Sequence, residues 1–152
     1  MGVSVGDLVE DFVLPDETGA PRRLSELVAA GPVVVFFYPA AMTRGCTAES
    51  CHFRDLAAEF AAVGASRVGI SRDPVAKQAE FSRRHGFDFP LLSDSDGSVA
   101  EAFGVRRRLP LGPLSMRRMT FVIGSDRRVL GVVHSELDMN GHADQALRIL
   151  GG

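Results

Sequence analysis

The run Val33-Val-Val-Phe-Phe-Tyr38 contains no charged residue and is bounded by Gly31-Pro32 and Pro39. A strand covered on both faces needs a continuous apolar run of this kind, so it predicts a central strand of a sheet. Arg67 to Ser71 and the short Phe89-Pro-Leu-Leu92 predict further strands. Between the first two, Leu56, Phe60 and Val63 recur among alanines at helical spacing, predicting a helix from Thr47 to about Val63 with Gly64 as its C-cap. Pro74 to about Arg84 predicts a second helix, with proline in its first turn and Gly86 beyond its end. Ser98 to Phe103 adds another turn or two.

The chain's two ends have a different pattern. Phe12 to Leu24 predicts a hairpin around Thr18-Gly19, followed by a short helix opened by Ser25 as N-cap. Past a proline- and glycine-interrupted loop from Arg106 to Ser115, Met119–Ile123 and Val129–Val133 predict a hairpin around Ser125-Asp126, and Ala143 to Leu150 a final helix. The order is hairpin, strand–helix–strand–helix, hairpin and helix. This predicts an α/β fold: a mixed central sheet, helices on both faces and an N-terminal β-hairpin.

At 152 residues and 45% hydrophobic content the chain supports one core, and a single domain over 1–152 is expected. Lys and Arg total 17 against 19 Asp and Glu, and a net charge of -2 gives no general reason to expect nucleic acid or an anionic membrane as partner. The acidic N-terminus lacks the basic start and apolar centre of a signal peptide, and Gly6 breaks the myristoylation pattern. No apolar run approaches the roughly 20 residues of a membrane span. A cytoplasmic protein is therefore expected.

In a reducing compartment, the two cysteines Cys46 and Cys51 are better candidates for a redox or metal site than for a structural staple. Cys46 falls at the start of a predicted helix, where the macrodipole and unpaired N–H groups favour a thiolate. The competing reading is that each thiol is simply packing, more so for Cys51 inside the helix. Residues five apart on a helix have Cα atoms about 8.7 Å apart and point about 140° away from each other. A disulfide needs about 7 Å or less, so one between Cys46 and Cys51 requires the helix start to unwind.

The surrounding residues narrow the choice. Pro39-x-x-x-Thr43-x-x-Cys46 resembles the active-site signature of the peroxiredoxins, and Gly45-Cys46-Thr47-x-Glu49-x-Cys51-x-Phe53-Arg54 is similar to the peroxiredoxin Q subclass, also called bacterioferritin comigratory proteins. The likeness continues through Gly69-Ile70-Ser71-x-Asp73, Phe89 to Asp94, Phe103-Gly104-Val105, Arg118-x-Thr120-Phe121-Val122-Ile123 and Gly141-His142-Ala143, covering nearly the whole chain. The element order is compatible with the thioredoxin-like fold this implies.

The resemblance implies a thiol peroxidase acting on hydrogen peroxide and organic hydroperoxides, without cofactor or metal. It makes Cys46 the peroxidatic thiol and Cys51 the resolving one, joined after turnover as an intramolecular disulfide and reduced by thioredoxin or a similar dithiol. Thr43 would hydrogen-bond sulfur and peroxide, and Pro39 would shield the sulfur from water. The site also needs a cation, and Arg44, Arg106 to Arg108, Arg117 and Arg118 compete. Alternation along a strand puts Arg117 and Arg118 on opposite faces, and the family pattern selects Arg118. Glu49 would hold that arginine in register or be an ordinary first-turn carboxylate. Intramolecular resolution permits a monomer.

This chain departs from the family at Ala41-Met42-Thr43-Arg44, where Asp-Asp-Thr-Pro is common, so two charges are lost and a proline becomes arginine. Met42, Leu111, Leu114, Met116 and Met119 are candidates either for an apolar entrance admitting bulky hydroperoxides or for core packing. Three other readings compete. A protein-thiol oxidoreductase wants Cys-x-x-Cys, and a zinc site using Cys46, Cys51, His52 and a distant histidine lacks the usual ligand spacing. Arg106-Arg107-Arg108 suits a solvated surface better than a binding module. His85, His134 and His142 are expected in solvated or capping roles.

Overall fold

The computed structural model describes residues 2–106 and 116–151. Strands β1 (Val13–Pro15) and β2 (Pro21–Arg23) form the N-terminal hairpin, followed by helix α1 (Leu24–Leu27). Then come β3 (Val33–Phe37), α2 (Arg44–Asp55), α3 (Ala57–Ala62), β4 (Ser66–Ser71) and α4 (Val75–His85). The chain continues through β5 (Leu91–Ser93), α5 (Ser98–Phe103), β6 (Met119–Ile123), β7 (Val129–His134) and α6 (Met139–Ile149).

Among the described residues, five strands form one sheet in the order β5-β4-β3-β6-β7. The apolar run of β3 is its middle strand and every residue of it is buried. Strand β3 pairs in parallel with β4 and antiparallel with β6, so the carboxyl end of β3 lies beside the start of β6 and the end of β4. That juxtaposition places the functional residues described below.

Alternation along β3 feeds two cores. Val33, Val35 and Phe37 join Leu24, Val28, Val99, Phe103 and Phe121 on the α1/α5 face. Val34, Phe36 and Tyr38 join Phe53, Phe60, Phe81, Ala143 and Ala146 on the opposite face. There Phe36 stacks on Phe53 with ring centroids 4.2 Å apart, fastening α2 to the central strand. Gly69 allows that packing, since a Cβ there would stand 2.9 Å from Phe36 Cζ and from Leu91 Cδ2. Tyr38 is buried beside Phe36 and Phe81, and its hydroxyl donates to Gln78 Oε1 at 2.5 Å.

Four expectations need correction. Ser25 does not cap α1: Arg23 holds the N-cap position, and Ser25 lies inside the helix with its N–H and hydroxyl both donating to Asp11. The helix predicted from Thr47 begins at Arg44 and breaks at Leu56 into α2 and α3. Gly64 does follow its end, with φ of 70° and the Ala65 N–H reaching back to Phe60 O at 3.0 Å. The last helix begins at Met139, because Asp138 caps it by accepting from Gly141 N at 2.9 Å. Leu111, Leu114, Arg107 and Arg108 lie outside the described residues.

Candidate active site

Helix α2 buries Cys46, Glu49, Ser50 and Phe53, the i, i+3, i+4, i+7 stripe of a helix laid on a sheet. Its N-cap is Thr43, and its first described backbone bond runs from Thr47 N to Thr43 O at 2.9 Å. The amides of Arg44, Gly45 and Cys46 therefore precede the intrahelical ladder, and the Cys46 sulfur sits in the positive field of the first turn. Cys46 is fully buried and its thiol is free.

Arg118 reaches this sulfur from the residue just before β6. Its Nη2 donates to Cys46 Sγ at 3.3 Å and its Nη1 to Glu49 Oε1 at 2.7 Å, a fork that ties two residues of one helical turn to the sheet. Arg118 is 7% exposed and Glu49 fully buried. Burial works against the guanidinium's charge, but Glu49 and Cys46 outweigh it and hold the group above its ordinary value. Gly45 leaves room for the fork: a Cβ there would lie 3.3 Å from Arg118 Nη2 and 3.5 Å from Met139 Sδ. Burial raises the Glu49 carboxyl from 4.5 to about 8 against the pull of Arg118.

Pro39 and Thr43 flank the turn between β3 and α2, and both are partly exposed. Thr43 Oγ1 donates to Ala40 O at 2.7 Å, so its lone pairs remain to accept. The turn is pinned by Asp73, whose Oδ2 accepts from Ala41 N at 2.7 Å and from Ser71 Oγ at 2.6 Å. Met42 holds a positive φ of 65°, a conformation that costs a non-glycine residue on the order of 1–3 kcal/mol.

Cys51 also lies on α2, partly buried and free. Burial raises its thiol above the ordinary value, with Arg54 acting in the opposite sense. The next residue, His52, meets Asp144 of α6 at 2.8 Å.

The protein-family model for the AhpC/TSA family matches residues 5–132. The chain belongs to the AhpC/TSA family. It is a peroxiredoxin, and the relatives agree with the peroxiredoxin Q likeness. Peroxidoxin BcpB from Mycobacterium tuberculosis, a crystal structure, is 62% identical over 98% of this chain and 97% of its own, with a TM-score of 0.93. Chloroplastic peroxiredoxin Q of Oryza sativa subsp. japonica is 36% identical over 97% of this chain and 67% of its own length. The bacterioferritin comigratory protein of Xanthomonas campestris superposes with a TM-score of 0.84 at 31% identity, covering 95% of this chain and 98% of that one.

Of the residues expected at the site, the structure brings Cys46, Arg118 and Glu49 into direct contact and sets Thr43 and Pro39 beside them on the adjoining turn. Cys51 is on the same helix but faces elsewhere. Met116 and Met119 are not at an entrance: they belong to the α1/α5-face core, across the sheet from Cys46. Met42 packs on the Cys46 side, and Met139, which sequence reasoning passed over, stands against Gly45. His142 is neither solvated nor capping. It is fully buried, with Nδ1 2.8 Å from Thr120 Oγ1 and 3.6 Å from Glu49 Oε2. Asp73 and His142 both stood inside motif segments, but the chain pattern gave Asp73 no role and His142 only the solvated or capping one corrected here.

Proposed function

We propose that this peroxiredoxin reduces hydroperoxides through Cys46 as the peroxidatic thiol, with Arg118 as its electrostatic partner. The fork from Arg118 to Cys46 Sγ and Glu49 Oε1 carries this reading, because it places a permanent cation against a buried sulfur at a helix N-terminus. The thiolate attacks the terminal peroxide oxygen, the O–O bond breaks, and the alkoxide or hydroxide takes a proton to leave as alcohol or water. Cys46 is left as the sulfenic acid. Arg118 and the first-turn amides stabilise the charge moving across the breaking bond. Thr43 Oγ1, its own hydrogen committed to Ala40, accepts from the peroxide O–H and orients it.

Cys51 then condenses with the sulfenic acid, forming an S–S bond and releasing water. Both cysteines lie on α2 with its helical spacing, so this step unwinds the first turns of the helix. The raised Cys51 thiol suits a group that reacts only after leaving its half-buried place. A dithiol reductant, thioredoxin or a similar protein, returns both thiols by exchange. Both cysteines belong to one chain, so turnover needs no second copy and a monomer suffices.

Hydrogen peroxide and organic hydroperoxides are the substrate class. The Xanthomonas campestris relative is described as having alkyl peroxide reduction activity, and Met42 and Met139 offer apolar surface beside Cys46. Among the described residues no helix is long and apolar enough to cross a membrane. We infer antioxidant defence in the cytoplasm.

The test is intact mass after one equivalent of hydrogen peroxide on the reduced protein. Wild type should lose two hydrogens, Cys51→Ser should gain oxygen, and Cys46→Ser should stay unchanged. Reaction of Cys46→Ser at the wild-type rate would sink the assignment.

A further inference from the structure

His142 is a buried titratable group that this chemistry leaves without a task. Its Nε2 lies 2.8 Å from the Ser135 carbonyl oxygen, which can only accept, so Nε2 carries a hydrogen. In the neutral ring Nδ1 is then a lone pair, and it accepts from the Thr120 hydroxyl at 2.8 Å. The same lone pair faces Glu49 Oε2 at 3.6 Å, and that oxygen has no hydrogen-bond partner among the described residues. Glu49 Oε1 is occupied as the acceptor of Arg118 Nη1. A carboxylate oxygen facing a lone pair in a dry site is repelled, whereas a carboxyl protonated on Oε2 is not.

We propose that His142 is a positioning residue of the Cys46 site, holding Glu49 as the neutral acid, protonated on Oε2, and so leaving the charge of Arg118 to the sulfur. Burial pushes Glu49 up and His142 down, which favours the same arrangement of two neutral groups. The other charges bearing on the pair are Arg118, just before β6, and Glu136 and Asp138 from the segment between β7 and α6. Cys46 faces the assembly from α2 through Arg118. When the pair loses its proton, Glu49 becomes a carboxylate and competes with the sulfur and the peroxide for Arg118. Reaction of Cys46 with peroxide should therefore decline as the pair deprotonates.

The inference rests on Cys46 as the reacting thiol, but its first readout does not. Infrared difference spectra in heavy water report the carbonyl stretch of an un-ionised carboxylic acid. Wild type should show such a band at neutral pH, absent in Glu49→Gln, and titrating out near the value burial gives Glu49. His142→Asn can turn an amide N–H to Oε2 and accommodate a carboxylate, so the titration should move down by at least one pH unit. Thr120→Val frees Nδ1 for the Glu49 proton and should move it up.

Opposite shifts from two substitutions around one ring are not what general loosening produces. The high-pH fall of the peroxide rate should track the band in each variant and vanish in Glu49→Gln. No Glu49 band in wild type, or shifts of the same sign in both variants, would overturn the proposal, as would a peroxide rate indifferent to the band. If Thr120→Val alone folds, an unmoved titration overturns it equally. The expected band shifts in a protein whose Cys46 consumes no peroxide would refute the peroxidase assignment while upholding the His142–Glu49 coupling.

Discussion

Replacing Arg67 with methionine should cost about 3 kcal/mol of stability, by the same amount in the reduced and disulfide forms. Arg67 is a strand residue only 9% exposed, whose Nη1 donates to Phe53 O at 2.7 Å and Nη2 to Asp88 Oδ2 at 2.7 Å. Its guanidinium carbon lies 5.1 Å from the Phe89 ring centroid and 5.9 Å from that of Phe60. A hydrogen bond from a charged group contributes about 1.5–3 kcal/mol, and the ring contacts about 0.5–1 kcal/mol each. The pair with Asp88, itself half-exposed, adds less than about 1 kcal/mol. Methionine recovers the packing of the aliphatic stem and leaves the Phe53 carbonyl unpaired.

The assay is urea unfolding at neutral pH of Arg67→Met and its parent, both carrying Cys46→Ser to exclude oxidation; the midpoint should fall at unchanged slope. Repeated on the oxidised proteins with both cysteines present, the difference should persist. The Phe53 carbonyl lies beyond Cys51, outside the turns that the proposed Cys46–Cys51 disulfide would unwind. A reduced-state loss below about 1 kcal/mol would refute the energetic reasoning. A loss that disappears on oxidation would show that unwinding runs through the Arg67–Phe53 contact.

Arg118→Met removes the cation from Cys46, and the peroxide rate constant should fall at least about 100-fold, as when an oxyanion donor is deleted; stopped-flow peroxide consumption within tenfold of wild type would contradict this. Glu49 should make stability depend on pH. Because its folded value is raised to about 8, its contribution is fully present below its ordinary 4.5 and is lost as pH rises through about 8. Unfolding free energy should thus decline over that interval by at most about 1.4 kcal/mol per pH unit, and Glu49→Gln should flatten the decline. Asp144→Ala releases His52, next to Cys51, from α6 and should speed disulfide formation after sulfenic acid by up to about fivefold, the worth of a partly exposed pair. Rapid-quench mass analysis would measure it, and an unchanged rate would mean the contact is not broken in that step.

The central strand was legible because six consecutive apolar residues from Val33 to Tyr38 have few alternatives to burial. Cys46, Thr43, Pro39 and Glu49 were legible as a motif, but Arg118 was chosen by family pattern, since alternation alone separates it from Arg117 without saying which face holds the sulfur. The α2–α3 break at Leu56 was hidden by alanines that continue the helical pattern through it. The start of α2 was missed because its N-cap is Thr43, immediately ahead of the Arg44-Gly45 pair, and makes no side-chain cap bond. His142 could not be placed by any local rule. Its partners, Thr120, Ser135 and Glu49, come together only when β6, α2 and the segment before α6 meet.

The buried hydroxyl of Tyr38 has a spectroscopic consequence. The chain has one tyrosine and no tryptophan, and that phenol sits at the carboxyl end of β3, against Phe36, which stacks on the Phe53 of α2. Its ultraviolet emission therefore arises from a single place in the molecule, the buried cluster that also holds Cys46, the sulfur proposed to react with peroxide. Oxidation and re-reduction should each register as a change in tyrosine fluorescence, giving a label-free optical record of every turnover.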